Sequence, residues 1–333
     1  MNWNMIGHDW AVRLLQQHVR EENHRQAYLI TGPESIGKTS IALRFAQALN
    51  CPKINKNGDP CFNCRTCTLI DQMNHPDLTV IEAESPGAQL RVDQIRGLQH
   101  GLSLAPYEAK YRVGLLLRFE EANQQAANAL LKTLEEPPRQ VILILTASSP
   151  DVLLPTIVSR CEHIRLRPVA TEIVKHGLQT KFNLSSADVD VLAHLSSGRP
   201  GYSVQLHLDP GKFEHRKTSL DQLIKLLVAD RVERFEYAEG LAKDGKASSE
   251  TLKIWLGFWH DVLLKISDSS SQITNLDYSE QIEKISESLG YKQSLSVVQG
   301  MERVFNHLAH NVNPRLALEV FMLDLPYHEV EIP

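Results

Sequence analysis

The sequence predicts an α/β domain built on a parallel sheet, followed by chain that is helical throughout. Three observations carry this. Short apolar, β-rich runs alternate with helix-period segments as far as Pro168. A complete phosphate-loop pattern, Gly32-Pro33-Glu34-Ser35-Ile36-Gly37-Lys38-Thr39, stands between one such run and a helix. Beyond Pro168 strand signals stop, while three-and-four spacing persists through Leu252, Trp255, Leu256, Trp259, Leu263 and later Leu295, Val298, Met301, Phe305 and Leu308.

Taken in order, apolar residues at 11, 12, 14, 15 and 19 predict an amphipathic helix over Trp10 to Val19. Ala27 to Thr31 reads as a buried strand, and Lys38 to Asn50 as the helix that follows the loop. Further strands are expected at Leu78 to Ile81, Arg112 to Leu117, Val141 to Ala147 and His163 to Leu166, with helices at Val92 to Leu102 and Asn123 to Leu134 between them. Strands separated by helices require crossover connections, hence a parallel sheet covered on both faces. From Thr171 to Leu208 short helices are expected, with Ser185 placed to cap Ala187 to Leu195. The Trp255 and Trp259 pair, at helical spacing, reads as core, and Ser267 to Ser271 as a polar loop.

The 333 residues suffice for two or three domains, and 42% hydrophobic with 23% charged residues is a globular composition. Lys plus Arg number 35 against 40 Asp plus Glu, a formal charge of -5, so bulk charge gives no argument for nucleic-acid binding. The amino terminus lacks the pattern of a signal peptide, and Val141 to Leu145 is far shorter than the ~20 residues a membrane span needs. A reducing cytoplasm is the expected compartment.

In the loop, the glycines let backbone N–H groups wrap phosphate, Lys38 reaches the β and γ oxygens, and Thr39 offers a hydroxyl to magnesium, with Ser40 beside it. Ser35 stands where many such loops carry another glycine. Hydrolysis also requires carboxylates at the end of a neighbouring strand. The strand at 112–117 ends instead in Leu117 and Arg118; Glu120 and Glu121 lie farther on, and read as solvated residues opening the next helix. Cys51, Cys61, Cys64 and Cys67 crowd into 17 residues, with Gly58-Asp59-Pro60 as a turn that folds Cys51 back. Four thiolates so close suit structural zinc; an iron–sulfur cluster or free thiols are the competitors, and the Cys-Pro that ends ferredoxin motifs is absent. His75 is a weaker substitute ligand, read more simply as a loop hydrogen-bonder. Cys161 reads as a small buried hydrophobe. Arg160 has two readings: a cation at a helix carboxyl end, or an arginine given in trans to a neighbour's γ-phosphate.

Together these residues resemble the bacterial DNA polymerase III clamp-loader family of AAA+ ATPases. The resemblance rests on Ile6-Gly7-His8, the loop, the four-cysteine insertion after its helix, His75-Pro76-Asp77, the run Asn128-Ala-Leu-Leu-Lys-Thr-Leu-Glu-Glu-Pro-Pro138 and Ser159-Arg160-Cys161. It implies a nucleotide-binding domain over 1–168 with a zinc module at 51–67, a helical lid over 169–210 and a helical collar over 211–333. It also implies ATP or ADP with magnesium at residues 32–40, zinc on the four cysteines, and Arg160 acting in trans. Implied partners are the delta and gamma/tau subunits, the sliding clamp and, through the assembly, primed DNA; no membrane is involved. By the family's register the magnesium carboxylates fall on Leu117 and Arg118, and the lid arginine falls on Gly201, with Arg199 out of register. These losses, with Arg160 kept, resemble the delta-prime branch more than the hydrolysing gamma/tau branch. The lack of a long extension after the collar points away from a tau-length chain.

Overall fold

A computed structural model describes residues 3–85, 87–269, 273–309 and 312–327. It divides into two compact units. One holds the described residues up to Lys181 together with Gly198–Tyr202; the other holds Phe182–Ser197 and the described residues from Ser203 onward.

In the first unit, five strands among the described residues form one parallel sheet in the order β2-β3-β4-β1-β5. These are β1 (Ala27–Thr31), β2 (Leu78–Ile81), β3 (Arg112–Leu116), β4 (Val141–Ala147) and β5 (Glu162–Arg165). Strands β1 and β4 are buried at every position, as expected where helices cover both faces. Alternation along each strand divides the core. Tyr28, Ile30, Val113, Leu115, Ile142 and Ile144 pack under α1 (Asp9–Arg20), α2 (Lys38–Asn50) and α3 (Arg65–Asp71). Leu29, Leu116, Leu143 and Leu145 pack under α4 (Val92–Leu102), α5 (Gln124–Glu135) and α6 (Pro155–Val158) on the other face. The expected strands at 112–117 and 163–166 end and begin one residue earlier than apolarity suggests, because pairing stops at Leu116 and Glu162 already pairs with Tyr28.

Beyond the sheet, α7 (Thr171–Phe182), α8 (Ser186–Leu195) and α9 (Pro200–Leu208) follow. Ser185 caps α8, its hydroxyl accepting from the Asp188 N–H. The second unit then runs through α10 (Pro210–Val228), α11 (Arg231–Leu241), α12 (Gly245–Ile266), α13 (Ser279–Ser288), α14 (Tyr291–Ala309) and α15 (Pro314–Asp324). Its core is built on Trp255, Phe258, Trp259, Met301 and Phe321, all buried. The Trp255 indole N–H donates to the Ser219 carbonyl at 2.8 Å. Arg234 is buried and spends its donors on the carbonyls of Leu226, Leu227, Met322, Leu325 and Pro326, tying together the carboxyl-end chain of α10 and α15. Of the expected polar loop at 267–271, Ser270 and Ser271 lie outside the described residues, as does the end of the helical region expected to reach 333. No helix among the described residues is long and apolar enough to cross a membrane.

Candidate functional site: a phosphate loop, a thiol cluster and a remote arginine

The loop leaves the carboxyl end of β1, which is flanked by β4 and β5. Gly32 has φ +151°, and a β-carbon there would lie 2.6 Å from the Leu166 carbonyl oxygen, so the sheet itself demands glycine at this point. Gly37 takes φ +109° at the start of α2. Ser35, where glycine was the expected residue, adopts φ +59°, a left-handed conformation that costs a residue with a β-carbon ~1–2 kcal/mol. His8 braces the loop from outside, its Nε2 donating to the Ile36 carbonyl at 3.0 Å. Lys38 Nζ donates to the carbonyls of Gly32 at 2.6 Å and Pro33 at 2.9 Å. Burial pulls Lys38 below its ordinary pKa, and the carboxylates of Glu120 and Glu34 offset part of that. Pro33, Glu34, Thr39 and Ser40 complete the segment.

At the end of β3, Leu117 is buried and Arg118 is committed elsewhere. The Arg118 guanidinium meets Glu121 at 3.0 Å and Glu82 at 3.2 Å. The sequence reading of Glu120 and Glu121 as solvated residues opening the next helix needs correction. They lie in a 3-10 turn, Phe119–Glu121, ahead of α5. The Glu121 side chain is 12% exposed and bound to Arg118. Glu120 Oε1 accepts from the Ser148 N–H at 3.0 Å, and its Oε2 is buried with no hydrogen-bond partner. Sequence spacing could not reveal this, because Glu120 finds its donor at the end of β4, the strand that lies next to β3 in the sheet but 28 residues away in the chain.

Gly201, on which the resemblance places a lid arginine, lies against the loop: a β-carbon there would be 2.5 Å from the Ser35 carbonyl oxygen. Arg199 instead stacks over the Tyr202 ring, 4.9 Å from its centre.

Cys51 ends α2 and Cys64 caps α3, so the two helices deliver the thiols to one point. The Sγ atoms of Cys51, Cys61, Cys64 and Cys67 all lie within 4.8 Å of one another, and Cys51 and Cys61 are 3.6 Å apart. Four thiolates at ~2.3 Å from a tetrahedral zinc would be separated by ~3.8 Å, so the donor set fits a closed metal site and is too wide for a disulfide at ~2.05 Å. Burial pushes the Cys51 and Cys67 thiols up, whereas at Cys61 hydrogen bonds from the Asn63 and Cys64 backbone outweigh burial and bring it down to about 6. The turn is set by Gly58 at φ +82° and by Asn55, whose side chain accepts from the N–H groups of Asn57 and Asp59.

His75 is not part of the thiol cluster. Its Nδ1 accepts from the Asp77 N–H at 3.0 Å. Asp77 is a residue whose role sequence reasoning missed. Its fully buried carboxylate accepts from the N–H groups of Tyr107, Glu108 and Ala109 at 2.6, 2.9 and 2.9 Å and faces Arg112 at 3.3 Å. It fixes the approach to β3.

Arg160 follows α6 directly and precedes β5. Its Nη2 meets Glu135 Oε1 at 2.7 Å, and its Nη1 donates to the Thr156 carbonyl at 2.9 Å. It borders an open cleft of about 390 Å³ shared with Arg25, Leu134, Glu135, Cys161 and Glu162. Cys161 is half-buried, and its thiol is pushed up to about 12 by desolvation. Glu162 pairs in register with Tyr28, whereas the loop begins after Thr31. Arg160 and the chain's own loop therefore sit at opposite ends of the strands, roughly 15 Å apart at ~3.3 Å per residue.

The family described as DNA polymerase III, delta subunit, matches residues 7–170, and the C-terminal region of the same subunit matches 210–326. The delta' subunit of DNA polymerase III from Pseudomonas aeruginosa is 34% identical over 219 residues, 66% of this chain and 66% of that protein. The delta' subunit from Bacillus subtilis is 30% identical over 168 residues, half of each chain. The tau/gamma subunit from Haemophilus influenzae is 34% identical over 174 residues, 52% of this chain but 25% of that protein. The aligned stretch thus spans about two thirds of the first relative's length and less of the others. With one description covering the sheet and its loop and the companion description covering the helical region, the chain belongs to the DNA polymerase III delta subunit family.

Proposed function

We propose that this chain is a delta-prime-type subunit of a DNA polymerase III clamp loader, in the cytoplasm, where it helps to open the sliding clamp and place it on primed DNA. In this reading it works beside delta and gamma/tau subunits and does not itself turn over ATP. The observation that carries the reading is the position of Arg160. A guanidinium at the far end of the strands from its own loop serves a nucleotide only if that nucleotide belongs to another subunit. The ends of β3 agree with this, since Leu117 and the ion-paired Arg118 offer no oxygen to magnesium.

Residues 32–40 would hold the phosphates of ATP or ADP, with Lys38 as the cation and Thr39 as the hydroxyl ligand for magnesium. The metal supplies charge neutralisation there, while the chain orients the phosphates through its backbone N–H groups. Cys51, Cys61, Cys64 and Cys67 would hold one zinc with no open position, which makes it structural. The loop-proximal carboxylates include no pair placed to activate water, so binding without turnover is expected.

The test is ATP turnover by the purified chain alone and in a complex reconstituted with delta and gamma/tau subunits. Negligible turnover alone and DNA-stimulated turnover in the complex support the reading. Robust turnover alone, abolished by Lys38→Ala, would replace it with the gamma/tau-like motor.

A further inference from the structure

Glu120, on the turn after β3, has one carboxylate oxygen that no donor meets. Its Oε1 is fixed by the Ser148 N–H at the end of β4, at 3.0 Å. Its Oε2 is buried and meets no donor. A buried carboxylate oxygen without a donor is a desolvated acceptor, which a cation supplied from outside the chain would satisfy. The nearby cations are already engaged. Lys38 donates to the Gly32 and Pro33 carbonyls, and Arg118 is held by Glu121 and Glu82. Ser148 follows directly on Ala147, whose carbonyl accepts from the Gly32 N–H at 3.2 Å, so the carboxylate is anchored one residue from the strand position that holds the start of the loop.

We propose that Glu120 is the magnesium-directed carboxylate of this loop, doing from the 3-10 turn after β3 what Leu117 and Arg118 cannot do from the strand end. Ser148 orients the group through Oε1, and Oε2 is the hard oxygen offered to the hydrated magnesium of a nucleoside di- or triphosphate. Thr39, in the first turn of α2, would supply the hydroxyl. This deepens the nucleotide-binding part of the proposed function and rests on it. It adds a metal-positioning residue but no water-activating base, so binding becomes magnesium-dependent while hydrolysis remains absent.

The full-length chain is titrated with a fluorescent methylanthraniloyl-ADP in magnesium and in EDTA, for wild type and Glu120→Gln. Wild type is expected to bind more tightly with magnesium. Glu120→Gln is expected to lose about tenfold or more of that gain. Its affinity in EDTA stays level or rises, because a negative charge beside the phosphates has gone. That opposite movement separates a metal role from a structural one, which would weaken both. Glu120→Asp, which keeps the charge, guards against a folding defect and should retain part of the magnesium gain. A parallel loss in both conditions, an unchanged magnesium gain, or no metal dependence in the wild type overturns the proposal. Each of these would leave the Arg160 reading standing, since that arginine acts on a different subunit's nucleotide; failure of the Arg160 reading would in turn leave this titration unaffected.

Discussion

Gly201 rests so closely on Ser35 that a β-carbon on Gly201 would lie 2.5 Å from the Ser35 carbonyl oxygen. Position 201 is therefore a point of backbone contact with the phosphate loop, where an added side chain forces something to shift. Gly201→Ala is expected to destabilise the chain by ~1–3 kcal/mol through overpacking, read as a lower denaturation midpoint. Gly201→Arg is expected to be worse and to restore no turnover. A Gly201→Ala chain as stable as wild type would show that the contact yields easily.

Arg160→Ala should leave the chain folded and assembled, because removing an exposed ion pair with Glu135 changes stability by ~1 kcal/mol or less. In the reconstituted complex, DNA-stimulated ATP hydrolysis at the adjoining site should fall by ~10³ or more in the strongest case. If other subunits contribute equivalent arginines to other sites, the total is diluted and clamp loading should fall further than bulk hydrolysis. Wild-type rates for both in an intact complex would leave Arg160 as a helix-end cation only.

Elemental analysis of reduced protein should find one zinc per chain. Chelation, or Cys64→Ser, should lower the melting temperature and expose thiols to titration, since the four sulfurs gather the ends of α2 and α3 at one point. Iron in that analysis, or no metal, would count against the assignment.

At Asp77 burial works against ionisation, but three backbone N–H groups and Arg112 overcome it and hold the carboxyl below its usual range. A depressed folded pKa gives stability that is present above the unfolded value and is lost as pH falls through the folded one. Below about pH 4 this contribution should fade. Asp77→Asn is expected to cost ~2–4 kcal/mol at neutral pH and to flatten that acid limb, read by denaturant unfolding across pH.

Arg234→Met should unsettle the helical unit by ~3 kcal/mol or more, since five carbonyls, four of them in buried hydrogen bonds, lose this donor. Thermal unfolding monitored by Trp255 and Trp259 fluorescence reads this directly.

Much of the fold is legible in the residues. Strands β1 and β4 and helices α2 and α4 occupy the very spans their apolar patterns mark, because burial on both sides of a parallel sheet leaves unbroken hydrophobic runs. The phosphate loop and the thiols are also visible, since their chemistry depends on spacing along the chain. What stays hidden are partnerships set by tertiary structure. Asp77 captures N–H groups about thirty positions away. Glu120 meets the Ser148 N–H because of strand order, and Arg234 finds the carbonyls at the end of α15 through helix packing. A lone polar letter carries no record of the neighbour that folding gives it.

Helix α5 begins at its Asn123 cap, directly after the turn that holds Glu120, and ends at Glu135, the partner of Arg160. Its twelve residues span about 18 Å of rigid rod. The Glu120 turn and the Glu135–Arg160 pair are thus the two ends of one helix, and a displacement at the first would reach the second through a single rigid element.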